Sequence, residues 1–182
     1  MTIQTLLLTG ANNHDWTRSS PFVKQLLEDS GNFRVDLTED PGAVLEKAAG
    51  LDRYDLFFSD YYGPEWSDTA KSNFESAVRA GTDLVILHAA DNAFPGWVEY
   101  EKMVGLLWRE GTSHGAYHEF EVKIVDQDHP ITRAMGDFRI WDELYHNLIP
   151  LHNVPCHILA TAFSSPDSGG TGKDEPVMVV TQ

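Results

Sequence analysis

The 182-residue chain carries 28 acidic against 13 basic side chains, a formal net charge of −15, with 42% hydrophobic and 23% charged residues. That balance suits one folded domain over residues 1–182 with a sizeable buried core, and it excludes a disordered chain. An acidic surface repels phosphate backbones and anionic lipid, so nucleic acid and membranes are excluded as partners. No apolar run approaches the roughly 20 residues that span a bilayer, and the amino terminus lacks the basic and apolar regions of a secretion signal. A cytoplasmic location is expected. Cys156 is the single cysteine, which rules out an internal disulfide, a CxxC redox pair and a thiolate-rich zinc centre. Any metal site must draw on His, Asp and Glu.

Thr5 to Thr9 is a short apolar run ending at Gly10 and predicts a buried first strand. Ser20-Pro21 is read as the cap and first residue of a helix whose apolar face runs from Phe22 to Ser30. Phe33 to Leu37 alternates as a second strand. Asp40-Pro41 repeats the cap-plus-proline start, with a helix over Ala43 to Ala49 closed by Gly50. Tyr54 to Ser59 is a third strand, Ser67 caps a helix reaching Ala80, and Asp83 to His88 is a fourth strand. Short buried strands alternating with helices are the pattern of βαβ units around a parallel sheet. Beyond residue 90 the pattern loosens. Trp97 to Val104 reads as helix, Glu119 to Val125 as a half-exposed strand, Ile158 to Ala162 and Val177 to Val180 as two more strands, and Ser164 to Asp174 as a surface loop.

Open parallel sheets bind ligands outside the carboxyl ends of their strands. Strand one exits through Asn13, His14, Asp15 and Trp16, strand three through Asp60 to Trp66 with Tyr62, and strand four through His88, Asp91, Asn92 and Trp97. Three loops thus deliver imidazoles, carboxylates, amides and aromatic rings to one edge. Ring faces stack on C–H groups while amides and carboxylates take hydroxyls, which suits a small-molecule carbohydrate. Taken singly, such loop residues are more often turn and cap residues. His114 and His118 lie four apart, but the glycine between them points to a loop entering a strand, so the pair is a weak zinc signal. His129-Pro130 reads as a structural turn, and His152 and His157 as surface or packing residues. Asp142, Glu143, Tyr145 and His146 follow the apolar run Phe138 to Trp141; they suit acid/base or metal chemistry and equally a solvated charged loop.

Four runs, Thr9 to Trp16, Leu87 to Phe94, His129 to Thr132 and Asp142 to Tyr145, resemble the ThuA-like (trehalose-utilisation) family in residues, order and spacing across nearly the whole chain. The resemblance implies a three-layer αβα, mostly parallel, flavodoxin-like fold related to class I glutamine amidotransferases, and a role in sugar metabolism. In those amidotransferases a cysteine nucleophile sits on the turn after a central strand. Here that turn reads Leu87-His88-Ala89-Ala90 and Cys156 lies far along the chain, so glutamine hydrolysis is not expected. Family members also continue past the strand at Glu175 to Val180, so a naturally short or a truncated carboxyl end is expected, with an exposed sheet edge favouring a homo-oligomer.

The leading expectation is an enzyme acting on a sugar or keto-sugar derivative: a hydrolase, lyase or isomerase. His14, His88 and Glu143 are the candidate catalytic residues, and His14, His88, His114 and His118 the candidate ligands of a divalent metal such as zinc. Asn13, Asp15, Trp16, Tyr62, Asp91, Asn92, Trp97, Asp142 and Tyr145 are the candidate substrate-binding residues. The alternatives are a non-catalytic carbohydrate-binding or regulatory module, and a shortened domain without its original activity.

Overall fold

A computed structural model describes residues 2–181; Met1 and Gln182, at the ends on which the leader and carboxyl-terminal expectations bear, lie outside the described residues. The internal contacts group the chain into two units, the first ending at Tyr100 and the second beginning at Glu101.

In the first unit, β1 (Ile3–Leu8), α1 (Trp16–Asp29), β2 (Phe33–Thr38), α2 (Pro41–Leu45), β3 (Leu56–Ser59), α3 (Asp68–Ala80) and β4 (Asp83–Ile86) alternate as the apolar runs predict. The four strands form one parallel sheet in the order β2-β1-β3-β4. Leu6, Leu7 and Leu8 are buried in succession, because a strand covered on both faces has no solvent side to alternate towards. The helix ends follow local chemistry. The Asp40 carboxylate accepts the Ala43 N–H at 3.0 Å, Ser67 Oγ accepts the Ala70 N–H at 3.2 Å, and Gly81 closes α3 in the left-handed region. α2 stops at Leu45, short of the expected Ala49.

Helix α1 differs from expectation in two ways. It starts at Trp16, because the Asp15 carbonyl accepts the N–H groups of Arg18 and Ser19, and Pro21 lies inside it. Its inward residues are Ser20, Val23 and Leu27, at three- and four-residue spacing, while Phe22 (66% exposed) and Leu26 (59%) face outward. The core beside the sheet is aromatic: Phe57 stacks on Phe74 at 5.3 Å, and Trp66, Phe94, Trp97 and Tyr100 close around them. α4 (Val98–Val104) carries the chain onward.

The second unit contains β5 (Ser113–His114), β6 (His118–Ile124), β7 (Phe138–Asp142), β8 (Tyr145–His146), β9 (Cys156–Phe163) and β10 (Asp174–Thr181). β10-β9-β6-β7 form an antiparallel sheet, and β5 pairs with β8 in a separate two-stranded ladder. Phe120, Val122 and Ile124 alternate inward from β6 and pack with Leu144, Ala160 and Ala162, while Glu119, Glu121 and Lys123 face outward. β7, seen in the sequence only as an apolar run, is an edge strand with Phe138, Ile140 and Trp141 exposed. Buried Glu101 accepts from Arg109 at 2.9 Å and pairs with His152 Nε2 at 2.8 Å, so that imidazole has a structural partner. No helix among the described residues is long and apolar enough to cross a membrane.

Two predictions follow from this packing. Phe74 is fully buried, so Phe74→Ala removes ring contacts the core cannot refill and lowers stability by about 3–5 kcal/mol, read by urea denaturation. Asp126 accepts from His157 at 2.7 Å and from the N–H groups of Asp128 and His129, which hold its carboxyl below the ordinary value of 3.8. A depressed carboxyl contributes stability that is complete above its ordinary value and lost as pH falls through the folded one. Asp126→Asn therefore flattens the stability profile below about pH 4, checked by denaturant titrations across that range.

Candidate functional site

In the first unit the carboxyl ends of β1, β3 and β4 deliver their exit loops to one edge. Gly10, at φ +109°, turns the β1 exit past the end of β2; a Cβ there would lie 1.9 Å from the Glu39 carbonyl oxygen. The β3 exit comes equally close. A Cβ on Gly63 would lie 2.4 Å from the Ala11 methyl, and the Tyr62 N–H donates to the Ala11 carbonyl at 2.8 Å. Asn12 joins the two loops through its side chain. Its amide N–H donates to the buried Asp60 carboxylate at 2.9 Å, and its amide oxygen accepts the His14 backbone N–H at 3.0 Å.

At the β4 exit the Leu87 N–H bonds the Ser59 carbonyl, and His88 opens a 3-10 turn over His88–Asn92 with φ +45°. A non-glycine residue in that region is strained by about 1–3 kcal/mol and persists where its surroundings hold it. The outcome is an imidazole pair: the His14 and His88 rings lie 4.6 Å apart between centroids, tilted by 50°. Both side chains are half-buried.

The other residues expected at this edge divide. Trp16, Tyr62 and Asn92 are half-buried, Asn13 is exposed, and Asp91 is buried within the turn. Exposed Asp15 precedes α1 and accepts the Thr17 hydroxyl at 2.5 Å, a local turn bond. Trp97 departs from its expected role as a sugar platform. Its indole stacks on Tyr100 at 5.4 Å, meets Phe94 and Phe74 edge-on, and donates its N–H to Glu75 at 2.7 Å, so its rings serve the core.

In the second unit His114 and Tyr145 are cross-strand partners of the β5–β8 ladder. Trp108 stands edge-on to Tyr145 at 4.5 Å and 6.0 Å from the His114 ring, giving an aromatic corner. The Nδ1 of His114 lies 2.7 Å from the Gly115 carbonyl and must carry the proton to bond it. Nε2 then faces the Glu143 carboxylate at 3.9 Å, too far for a direct hydrogen bond and a span that a shared cation would fit. Asp142 ends β7 and accepts the Glu143 N–H at 2.8 Å. His118 does not join this group. Its Nδ1 bonds the Ala116 carbonyl at 2.7 Å and its Nε2 faces the Ser168 hydroxyl at 3.3 Å, so the ring sits against the Ser-Gly loop and not beside His114 and Glu143.

The sequence reading missed Trp108, the joining role of Asn12, and the Ser20 and Asp60 that support it. The available signal was Asp60 directly at a strand's carboxyl end and a serine pair where one cap would do. Cys156 begins β9, and burial pushes its thiol up from its ordinary value.

The parallel sheet and its loaded strand exits define an α/β fold of the glutamine amidotransferase-like, flavodoxin-like class. Within that class the chain belongs to the ThuA family, described as trehalose utilisation, which matches residues 4–182. Membership implies a role in sugar metabolism. A ThuA-like protein from Parabacteroides merdae is 31% identical, with a TM-score of 0.88 over 100% of this chain and 76% of that one. A ThuA-like protein from Bacteroides uniformis, at 17% identity and TM-score 0.73, covers 98% of this chain and 77% of its own. The glutaminase domain of Trypanosoma brucei CTPS with bound acivicin, at 13% identity and TM-score 0.55 over 98% and 80%, shares the fold. No curated protein matches the chain.

A thiol held above its ordinary value is a poor nucleophile at neutral pH. Iodoacetamide at pH 7 is expected to label Cys156 more slowly than a free cysteine, measured by intact mass against time, and equal rates would contradict its burial.

Proposed function

We propose that this chain is an enzyme of sugar metabolism acting on a sugar or keto-sugar derivative, with His14 and His88 as its reacting groups. The observation that carries the reading is the imidazole pair itself, 4.6 Å between centroids, with one member held in a strained backbone conformation at a strand exit. Imidazoles exchange protons near neutral pH, so one ring can take a proton from a hydroxyl or an α-carbon while the other returns one to the leaving or carbonyl oxygen. Two imidazole donors also suit a divalent metal such as zinc. When bound, such an ion polarises a carbonyl and acidifies water. Hydrolysis, elimination and isomerisation all use these steps. Glutamine hydrolysis is not among them, because the turn after β4 carries an imidazole where a thiol would be needed.

A second reading, a non-catalytic carbohydrate-binding module, is favoured by the corner of Trp108 and Tyr145 with His114 and Glu143 at its rim. Aromatic faces beside a carboxylate are what a pyranose ring recruits.

The deciding experiment pairs elemental analysis with a screen of disaccharides, trehalose and its keto forms included. Wild type is compared with a His14→Ala, His88→Ala double variant, a Glu143→Gln variant and a Trp108→Ala variant. The enzyme reading expects turnover to fall at least a hundredfold in the histidine variant while sugar affinity holds. Unchanged turnover there would sink it, and affinity lost only in Trp108→Ala, with no turnover anywhere, would establish the binding module. Stoichiometric zinc or manganese in wild type, absent from the histidine variant, identifies a metal centre. No metal after adding either ion leaves plain acid/base chemistry. Loss in Glu143→Gln reports whether that carboxylate takes part, as the sequence reading expects.

A further inference from the structure

Asp60 is a carboxylate only 4% exposed, and its side-chain partners among the described residues, Asn12, Ser19 and Ser20, are all neutral. One oxygen accepts the Asn12 amide at 2.9 Å; the other accepts the Ser19 hydroxyl at 2.8 Å and the Ser20 hydroxyl at 2.7 Å. Ser20 Oγ also lies 2.7 Å from Thr9 Oγ1. Ser20 has one hydroxyl proton, and a carboxylate is the stronger acceptor, so the Thr9 hydroxyl donates to Ser20 while Ser20 and Asn12 both donate to Asp60. Burying a charge without a cation is costly, and a neutral residue would stabilise this place more simply. What only an acceptor on both oxygens achieves is to fix which end of the Asn12 amide faces which way. With its N–H₂ drawn to Asp60, its oxygen must point to the His14 N–H, which it accepts at 3.0 Å.

We infer that Asp60 is a positioning residue, setting the Asn12 amide so that the chain at His14 is held where its imidazole meets His88. The functional weight of this inference rests on the proposed role of the His14–His88 pair; the structural part does not. Donor and acceptor count decides the geometry. If Asp60 becomes Asn with its oxygen kept on the two serines, its N–H₂ meets the N–H₂ of Asn12. Asn12 must then turn over, which places its N–H₂ against the His14 N–H. The pairing is restored if Asn12 becomes Asp at the same time, since a carboxylate there accepts from both sides.

The test is amide hydrogen exchange at His14 by NMR, with circular dichroism to confirm folding, in the full chain. Asp60→Asn is expected to speed exchange at His14 roughly tenfold, the loss of one buried hydrogen bond, and the Asp60→Asn, Asn12→Asp pair to recover most of it. A general packing role predicts no recovery, because the swap does not restore a carboxylate to position 60. Unchanged exchange in Asp60→Asn, or failure of the folded pair to recover, would overturn the inference. Should Asp60→Asn fail to fold, Asn12→Ala carries the same expectation at His14 and an unchanged rate there overturns it equally. Zinc titration of the same proteins then separates the two readings: no zinc binding even in wild type counts against the metal role of the histidines without touching the exchange result.

Discussion

Much of the first unit depends on one constraint, the lacing of the β1 and β3 exit loops around the buried Asp60 carboxylate. A parallel sheet brings strand ends together at one edge but does not fix the loops that leave them. Here the backbone bond from Tyr62 to Ala11, the glycine at 63 and the Asn12–Asp60 bond hold two loops as one layer. The reach of Ser20 from α1 ties that layer to the helix. His14 therefore hangs from a structure with few degrees of freedom, and His88 from a turn whose backbone strain is tolerated only because its surroundings determine it. Two imidazoles from residues 74 positions apart can meet reproducibly only on such a base.

The first unit was legible because each of its strands is a short apolar run bounded by a helix signal. Asp40, Ser67 and Gly81 act as the sequence indicates, since caps and left-handed closures depend on neighbours within three or four residues. The departures have a common cause. Ser20 looks like a cap by local chemistry, but its hydroxyl is claimed by a carboxylate 40 residues away, and Phe22 and Leu26 look like a core stripe although the helix turns its smaller face inward. Beyond Tyr100 the pattern weakened for a different reason. The antiparallel strands there are half-exposed or at an edge, as Phe138 and Trp141 in β7 show, and carry less hydrophobic signal per residue.

The site divides along the same line. That β1 and β4 would deliver His14 and His88 to one edge follows from topology, and the rings do meet. Whether a given polar or aromatic residue faces a ligand depends on side-chain partners invisible in the sequence. Trp97 lies on the expected loop yet belongs to the core because Phe74, Phe94 and Tyr100 surround it. His118 belongs to the Ser-Gly loop because Ser168 returns to it from 50 residues on. Trp108 carries no motif, and only its contact with Tyr145 places it at the corner.

The near-contact of Gly63 with Ala11 carries a consequence for how this sequence can drift. The glycine site has no room for a methyl group while position 11 bears one, and alanine at 11 is already the smallest side chain that has a Cβ. The Tyr61 ring closes the same site, its Cζ and hydroxyl oxygen 2.9 Å from where that Cβ would lie. A lineage that gains a side chain at 63 must therefore give up volume at both 11 and 61 or part the loops.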